Sequence, residues 1–305
     1  MKVYTLTLNP AYDVHATCES FAAGHENLAY TKSREAGGKG VNISRALMEN
    51  GIANTAVIVL GKDNCADFLQ DLEKAGLDCV LLEKEGRIRE NLTLHCAGGP
   101  ETRISFAGFS VDDSILTEVE NAIRIDADTV ITFTGRVSSG VSMESVKAFL
   151  AKARKAGAKI VLDSKSFSLE DIYEVKPWLI KPNQEEISEY FGCIVNTIAE
   201  AVEKASAFAE HGVTNVMISL GEQGAMLLTG GKTYTAKPPV IRAVSTIGAG
   251  DSTIAGFIAA AGRGAEADEC LKTAVSFGTA ACLTEGTQPP RKADVANIYS
   301  QIEMT

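Results

Sequence analysis

Thr129-Val130-Ile131-Thr132-Phe133-Thr134 is a short β-branched run, Met143 to Ala156 carries helical spacing until Gly157 stops it, and Lys159-Ile160-Val161-Leu162 opens a second β-branched run. Strand, helix, strand in that order sets the pattern for the chain. Before it, Val3 to Leu8 alternates like a strand, Gly40 to Asn50 is helical until Gly51, Ala56 to Leu60 is a buried strand, Asp63 to Ala75 a helix and Cys79 to Leu82 a strand. Asp112 to Ile123 is helical. After the quoted stretch come Trp178 to Ile180 (strand), Asn183 to Phe191 and Thr197 to His211 (helices), Val216 to Leu220 (strand) and two C-terminal helices. Such alternation predicts an α/β fold, a mostly parallel sheet with helices on both faces.

Two stretches fall outside it. Asp13 to Lys32 lacks a clear helix, and Arg87 to Gly108 reads as two antiparallel strands around Ala97-Gly98-Gly99-Pro100. Both are expected to form a small β lid inserted into one domain spanning 1–305, built from about 11–35 and 87–109.

The 305 residues are 45% hydrophobic and 22% charged, which suits a globular protein and excludes a disordered tail. A net charge of −10 argues against nucleic acid, so an anionic ligand must meet a local basic cluster. The seven cysteines form no C-x-x-C pair, and the N-terminus carries no signal-peptide pattern, as expected of a cytoplasmic protein. No apolar run approaches the roughly 20 residues that a membrane span requires.

Familiar nucleotide signatures fail. Gly231-Lys232-Thr233 resembles the end of a Walker A loop, but Met226 stands where its first glycine belongs, and a strand-like segment follows. Thr229-Gly230-Gly231-Lys232 is better read as a hairpin turn. Gly248-Ala249-Gly250 begins a dinucleotide fingerprint, but Thr253 occupies the third glycine position. The four histidines do not pair at metal-ligand spacings.

Thr246-Ile247-Gly248-Ala249-Gly250-Asp251 is more informative. Its glycines allow a ligand close to the backbone, and the helix that starts there aims unpaired amides and its positive end at an anion. Asp251 is either a base for an attacking hydroxyl or a carboxylate that merely suits the helix dipole. Asn183-Gln184-Glu185-Glu186 is a capping box, as is Thr197-Ile198-Ala199-Glu200, but the first follows a buried strand, where open α/β sheets bind ligands. Asp13 ends the opening Asn9-Pro10-Ala11-Tyr12-Asp13, and Gly37-Gly38-Lys39-Gly40-Val41-Asn42 exposes amides beside a lysine. In the lid, Arg89, Asn91, Thr93 and His95 share a strand face, which is either a phosphate floor or a solvated surface. A turn centred near Gly99 sets Arg103 opposite His95, about six residues and roughly 20 Å from Arg89.

Taken in order, Thr7 to Asp13, Gly37 to Asn42, Thr102-Arg103-Ile104, Lys181-Pro182-Asn183 with Glu186, Ser219 to Gly224 and Thr246 to Asp251 resemble the PfkB/ribokinase-like sugar kinases. Within that family the likeness is to the 1-phosphofructokinase and tagatose-6-phosphate kinase branch. It implies a ribokinase-like three-layer sandwich with a small β-sheet lid, which in such kinases often forms a dimer clasp. It also implies ATP-dependent phosphorylation of a ketohexose phosphate, with fructose 1-phosphate the best candidate and tagatose 6-phosphate or fructose 6-phosphate as alternatives. A silent sugar-phosphate sensor is the alternative from another class.

In that likeness Asp251 is the base, with Gly248, Ala249 and Gly250 as the anion hole. Asn183, Ser219, Gly221, Glu222, Gly224 and Thr246 join Gly248 and Gly250 around ATP. Asp13, Gly38, Lys39, Asn42, Arg89, Arg103 and Arg136 join Asp251 around the phosphosugar. Asn183 and Glu186 correspond to the motif associated with Mg2+ and the ATP phosphates. Three segments depart from the family pattern: Thr134-Gly135-Arg136-Val137-Ser138, Ser105-Phe106-Ala107-Gly108-Phe109 and Asp163-Ser164-Lys165-Ser166. All lie where sugar or phosphate is expected.

Overall fold

The computed structural model describes residues 1–97 and 101–305. β1 (Lys2–Thr7), β2 (Ala11–Cys18) and β3 (Ala29–Gly37) lead into α1 (Lys39–Glu49), β4 (Thr55–Gly61), α2 (Ala66–Lys74) and β5 (Asp78–Lys84). β6 (Arg89–Cys96) and β7 (Thr102–Ser105) follow, then α3 (Ser114–Ala122), β8 (Thr129–Thr134), α4 (Met143–Lys155), β9 (Lys159–Asp163), α5 (Leu169–Val175) and β10 (Leu179–Ile180). The remainder is α6 (Gln184–Phe191), α7 (Ile198–Glu210), β11 (Asn215–Ser219), β12 (Ala225–Thr229), β13 (Lys232–Lys237), α8 (Ala249–Gly262), α9 (Ala267–Ala281), α10 (Lys292–Tyr299) and β14 (Glu303–Met304).

Ten strands form one sheet in the order β14-β13-β12-β11-β10-β9-β8-β1-β4-β5. It is parallel from β11 to β5 and antiparallel at the β12–β14 edge. The period of two decides which helices each residue meets. Ile131, Phe133 and Ile180 face the core under α3 to α7, whereas Val130 and Leu179 face the core under α1, α8, α9 and α10. These are the three layers. A second sheet, β3-β2-β6-β7, stands apart, with its β2–β6 pair parallel. Tyr12 and Val14 anchor it onto α2 through Phe68 and Leu72.

Four sequence expectations change. Three C-terminal helices are present rather than two, because α10 forms after Pro290. The stretch 63–75 divides into a 3-10 turn at Lys62–Asn64 and α2. α5 has no counterpart among the helices expected from periodicity, although Ser168 and Asp171 form a capping box at its start. In the β6–β7 hairpin Arg103 pairs with Thr93 rather than His95, so it lies four positions from Arg89, roughly 13 Å along a strand. The expected turn at 98–100 lies outside the described residues.

The β12–β13 hairpin turns at Gly230 and Gly231, both at positive φ, as its sequence suggests. Gly224, at φ 90, lies where an added Cβ would clash with the Ala236 carbonyl oxygen. Gly224→Ala is therefore expected to cost about 1–3 kcal/mol in urea unfolding. A loss below the error of the measurement would contradict this packing.

Candidate active site

α8 explains why a carboxylate is buried here. Residues Asp251 to Ala260 are buried on every side of the helix, which lies between the sheet, α1 and α9. Its first turn therefore cannot reach bulk water freely, and Asp251 is only 7% exposed. Gly248 caps the helix in the left-handed conformation at φ 80, directing the first amides toward the carboxyl ends of the parallel strands.

Asn42, on α1, donates its Nδ2 hydrogen to Asp251 Oδ2 at 3.0 Å. Lys39, at the start of α1, reaches Asp163 Oδ2 at 2.9 Å, and Lys181 Nζ lies 4.0 Å from the same oxygen. Asp163 ends β9 and Lys181 follows β10, so adjacent strands deliver the two charges side by side. Lys181 also touches the glycine loop: its Nζ is 3.1 Å from where a Cβ on Gly250 would stand. Two carboxylates and two lysines thus share one cluster, buried except for Lys39, whose side chain is 35% exposed.

The charges tune one another. Burial pushes Asp251 up to about 6, Asp163 adds to the rise, and Lys39, Asn42 and Lys181 oppose it. Burial alone would raise Asp163 as well, but Lys181 and Lys39 outweigh it and hold that carboxyl below its ordinary value. Lys39, whose charge burial disfavours, is held above the lysine range by Asp163 and Asp251. A carboxylate with a pKa near neutrality, at a helix start lined with amides, can accept a proton from a hydroxyl.

Beside this cluster the small sheet supplies a second group. Asn91 donates to Asp13 Oδ1 at 2.9 Å, and burial raises the Asp13 pKa. Asp13 fits only because Gly37 has no side chain; a Cβ there would clash with its carboxylate. Gly38, at φ 113, caps α1. Arg89 contacts Asn91 Oδ1 at 2.7 Å and the Phe106 carbonyl oxygen at 3.3 Å. Its pKa is lowered by burial and by the charge of Arg136. Arg136 stands in the loop after β8, where a Cβ on Gly135 would lie 3.9 Å from Lys39 Cβ. Lys39, Arg89 and Arg136 therefore border one region. Arg103 does not join them: it is half exposed and pairs with Glu101 at 3.2 Å on its own hairpin.

On the opposite side, Asn183 and Glu186 cap one another: Asn183 Oδ1 accepts from the Glu186 amide at 2.8 Å and Glu186 Oε2 from the Asn183 amide at 3.1 Å. Among the described residues Glu186 Oε1 makes no hydrogen bond, its ion-pair partner being Lys165 at 3.9 Å, and so it retains capacity for a hydrated cation. Asn183 bridges Ser219, and Gly221 and Gly224 follow at positive φ in a turn beside α6. Glu222 and Thr246 are exposed at this edge. Among the described residues no cluster of three or more His, Cys, Asp or Glu side chains is arranged to hold a bare metal ion. Sequence reading singled out neither Asp163 nor Lys181 as a site residue. A charged residue at the carboxyl end of each of two buried strands was the available signal.

Residues 5–294 match the family described as pfkB family carbohydrate kinase, and the chain belongs to it. A 1-phosphofructokinase of Vibrio cholerae is 30% identical over 306 residues, covering 100% of this chain and 96% of the relative. A 1-phosphofructokinase of Escherichia coli is 34% identical over 259 residues, 84% of this chain and 83% of its own. In structure, phosphofructokinase-2 of Escherichia coli superposes with a TM-score of 0.89 at 25% identity, over 98% of both chains.

A stability test follows from the raised carboxyl. Folding lifts Asp251 from an ordinary 3.8 to about 6, so its favourable contribution is complete below pH 4 and disappears as pH rises through 6. Asp251→Asn is expected to match the parent at pH 4 and to exceed it at pH 8 by up to about 3 kcal/mol in chemical unfolding. Equal stability at both pH values would contradict the buried ionised group.

Proposed function

We propose that the protein is an ATP-dependent kinase of a ketohexose phosphate, with fructose 1-phosphate as acceptor and fructose 1,6-bisphosphate as product. Asp251, buried at the start of α8 and raised to about 6, is the observation that carries this reading. Its carboxylate takes the proton of the acceptor hydroxyl as that oxygen attacks the γ-phosphorus of ATP. The amides of Gly248, Ala249 and Gly250 stabilise the charge on the transferring group, and each such donor is worth about 3–4 kcal/mol. Lys181, against Gly250, adds a fixed positive charge at the same place.

The remaining residues divide between the two ligands. Asp13, Asn42 and the Gly38 turn hold sugar hydroxyls, while Lys39, Arg89 and Arg136 receive the phosphate already on the sugar. Ser219, Gly221, Glu222, Gly224, Thr246 and Asn183 border the nucleotide. Magnesium bound with ATP would neutralise its phosphates, and Asn183 and Glu186 would hold the water shell of that ion. Arg103 belongs to this set only through a second subunit or a shift of its hairpin.

All three segments that depart from the family pattern converge on the sugar end. Gly135, next to Arg136, borders Lys39, the Phe106 carbonyl binds Arg89, and Ser166 Oγ accepts from the Val137 amide. The second reading, a fructose-6-phosphate kinase, is favoured by the likeness to phosphofructokinase-2. Coupled ADP release over a panel of ketose phosphates separates them: fructose 1-phosphate is expected to give the highest kcat/KM. No turnover on any sugar phosphate would leave a silent sensor.

We place the protein in the cytoplasm as a homodimer joined through the small sheet, which acts as a lid. Leu28 (72% exposed), just before β3, and Tyr30 (62%), within β3, present an apolar surface at one edge of the small sheet. A Leu28→Asp, Tyr30→Asp double variant is expected to sediment as a monomer; an unchanged dimer would contradict this surface.

Asp251→Asn should lower kcat by about 100- to 10,000-fold while ATP still binds. In the parent, kcat/KM should fall as pH drops through about 6. Asp163→Asn removes a charge that raises Asp251 and should move that acid limb to lower pH, whereas a purely structural role would leave it in place.

A further inference from the structure

The lid strands hold a pair of cysteines that the kinase reading does not use. Cys18 ends β2 and Cys96 ends β6, and the two are direct partners in the parallel register. Paired residues on neighbouring strands share a face, and strands lie about 4.8 Å apart, inside the 4.4–6.8 Å Cα separation that a disulfide spans. Both side chains join one small cluster with Ala16 and Leu94. Being terminal residues of their strands, they are less constrained in adjusting to the bond than residues in mid-ladder. The next ladder contact is the Ala97 amide on the Cys18 carbonyl oxygen, at 3.3 Å.

We propose that Cys18 and Cys96 are a dithiol that closes to an intrachain disulfide on exchange with small-molecule disulfides, making the lid a site of reversible oxidation. Cys96 is half exposed and Cys18 buried, which assigns the order of events. The Cys96 thiolate attacks one sulfur of the oxidant RSSR, forming Cys96–S–S–R and releasing RS⁻. Cys18 then loses its proton to solvent, attacks Cys96 Sγ and releases the second RS⁻. Two protein thiols are oxidised and one RSSR is reduced to two thiols. The neighbouring Cys96 thiol, and then burial, push Cys18 up to about 11, in keeping with its place as the second, resolving thiol. The bond would tie the strand carrying Asp13 to the strand carrying Arg89 and Asn91.

The test uses the intact protein, incubated with glutathione disulfide, blocked by alkylation and digested with trypsin. Each cysteine lies alone in its peptide, 3–32 and 90–103. The expected product is these two peptides joined, lighter than their sum by two hydrogens and separated by reductant. Cys18→Ser should instead leave glutathione on Cys96, and Cys96→Ser should leave residue 18 unmodified. Glutathione accumulating on the exposed Cys193 with no joined peptide would overturn the proposal, as would a stable mixed disulfide at Cys96 in the parent protein. Neither result depends on which sugar the enzyme phosphorylates.

Discussion

A carboxylate buried in the first turn of an apolar helix is the constraint around which the site is arranged. Asp251 can be ionised there only because amides, Asn42 and two lysines surround it, and the lysines are in turn held by Asp163. Removing Lys39, Lys181 or Asp163 leaves an opposite charge uncompensated where water has little access, and such a loss is costly. The parallel sheet makes the arrangement possible. β9 and β10 run side by side and end at the same level, so Asp163 and Lys181 emerge next to the start of α8.

In the proposed reaction a phosphosugar is shielded from water during transfer yet enters and leaves, and the second sheet is the element proposed to allow both. β2 and β6 carry Asp13, Asn91 and Arg89 on one face and rest on α2 through the other. Near the site this sheet also meets the C-terminal segment, where Gln288 donates to Glu35 at 2.7 Å. Glycine at 37 is what lets β3 pass the Asp13 carboxylate closely enough for this sheet to meet α1.

Much of this was legible in the residues. Period-two runs such as Thr129 to Thr134 and glycine stops such as Gly157 placed the strands and helices of the large sheet, because both effects are local. Asp251 and its glycines were legible for the same reason. The hairpin register was not: Arg103 opposite Thr93 depends on the whole connection between β6 and β7, and a shift of two residues keeps every side chain on its own face. α5 was missed because its seven residues leave little periodicity to read. The Asn183–Glu186 capping box shows a further limit, since Thr197–Glu200 makes the same box away from this site. Asp163 and Lys181 become site residues only when the sheet sets their strands side by side.

Phosphoryl transfer at this site depends, in the proposed mechanism, on Asp251 being a buried, titrating carboxylate. Carbon NMR of aspartate-labelled protein, with Asp251→Asn used to assign the resonance, measures this without substrate or turnover. A midpoint near 6 is expected. A midpoint at the ordinary aspartate value of 3.8 would mean that the carboxylate is solvated, and the proposed base would lose its physical basis.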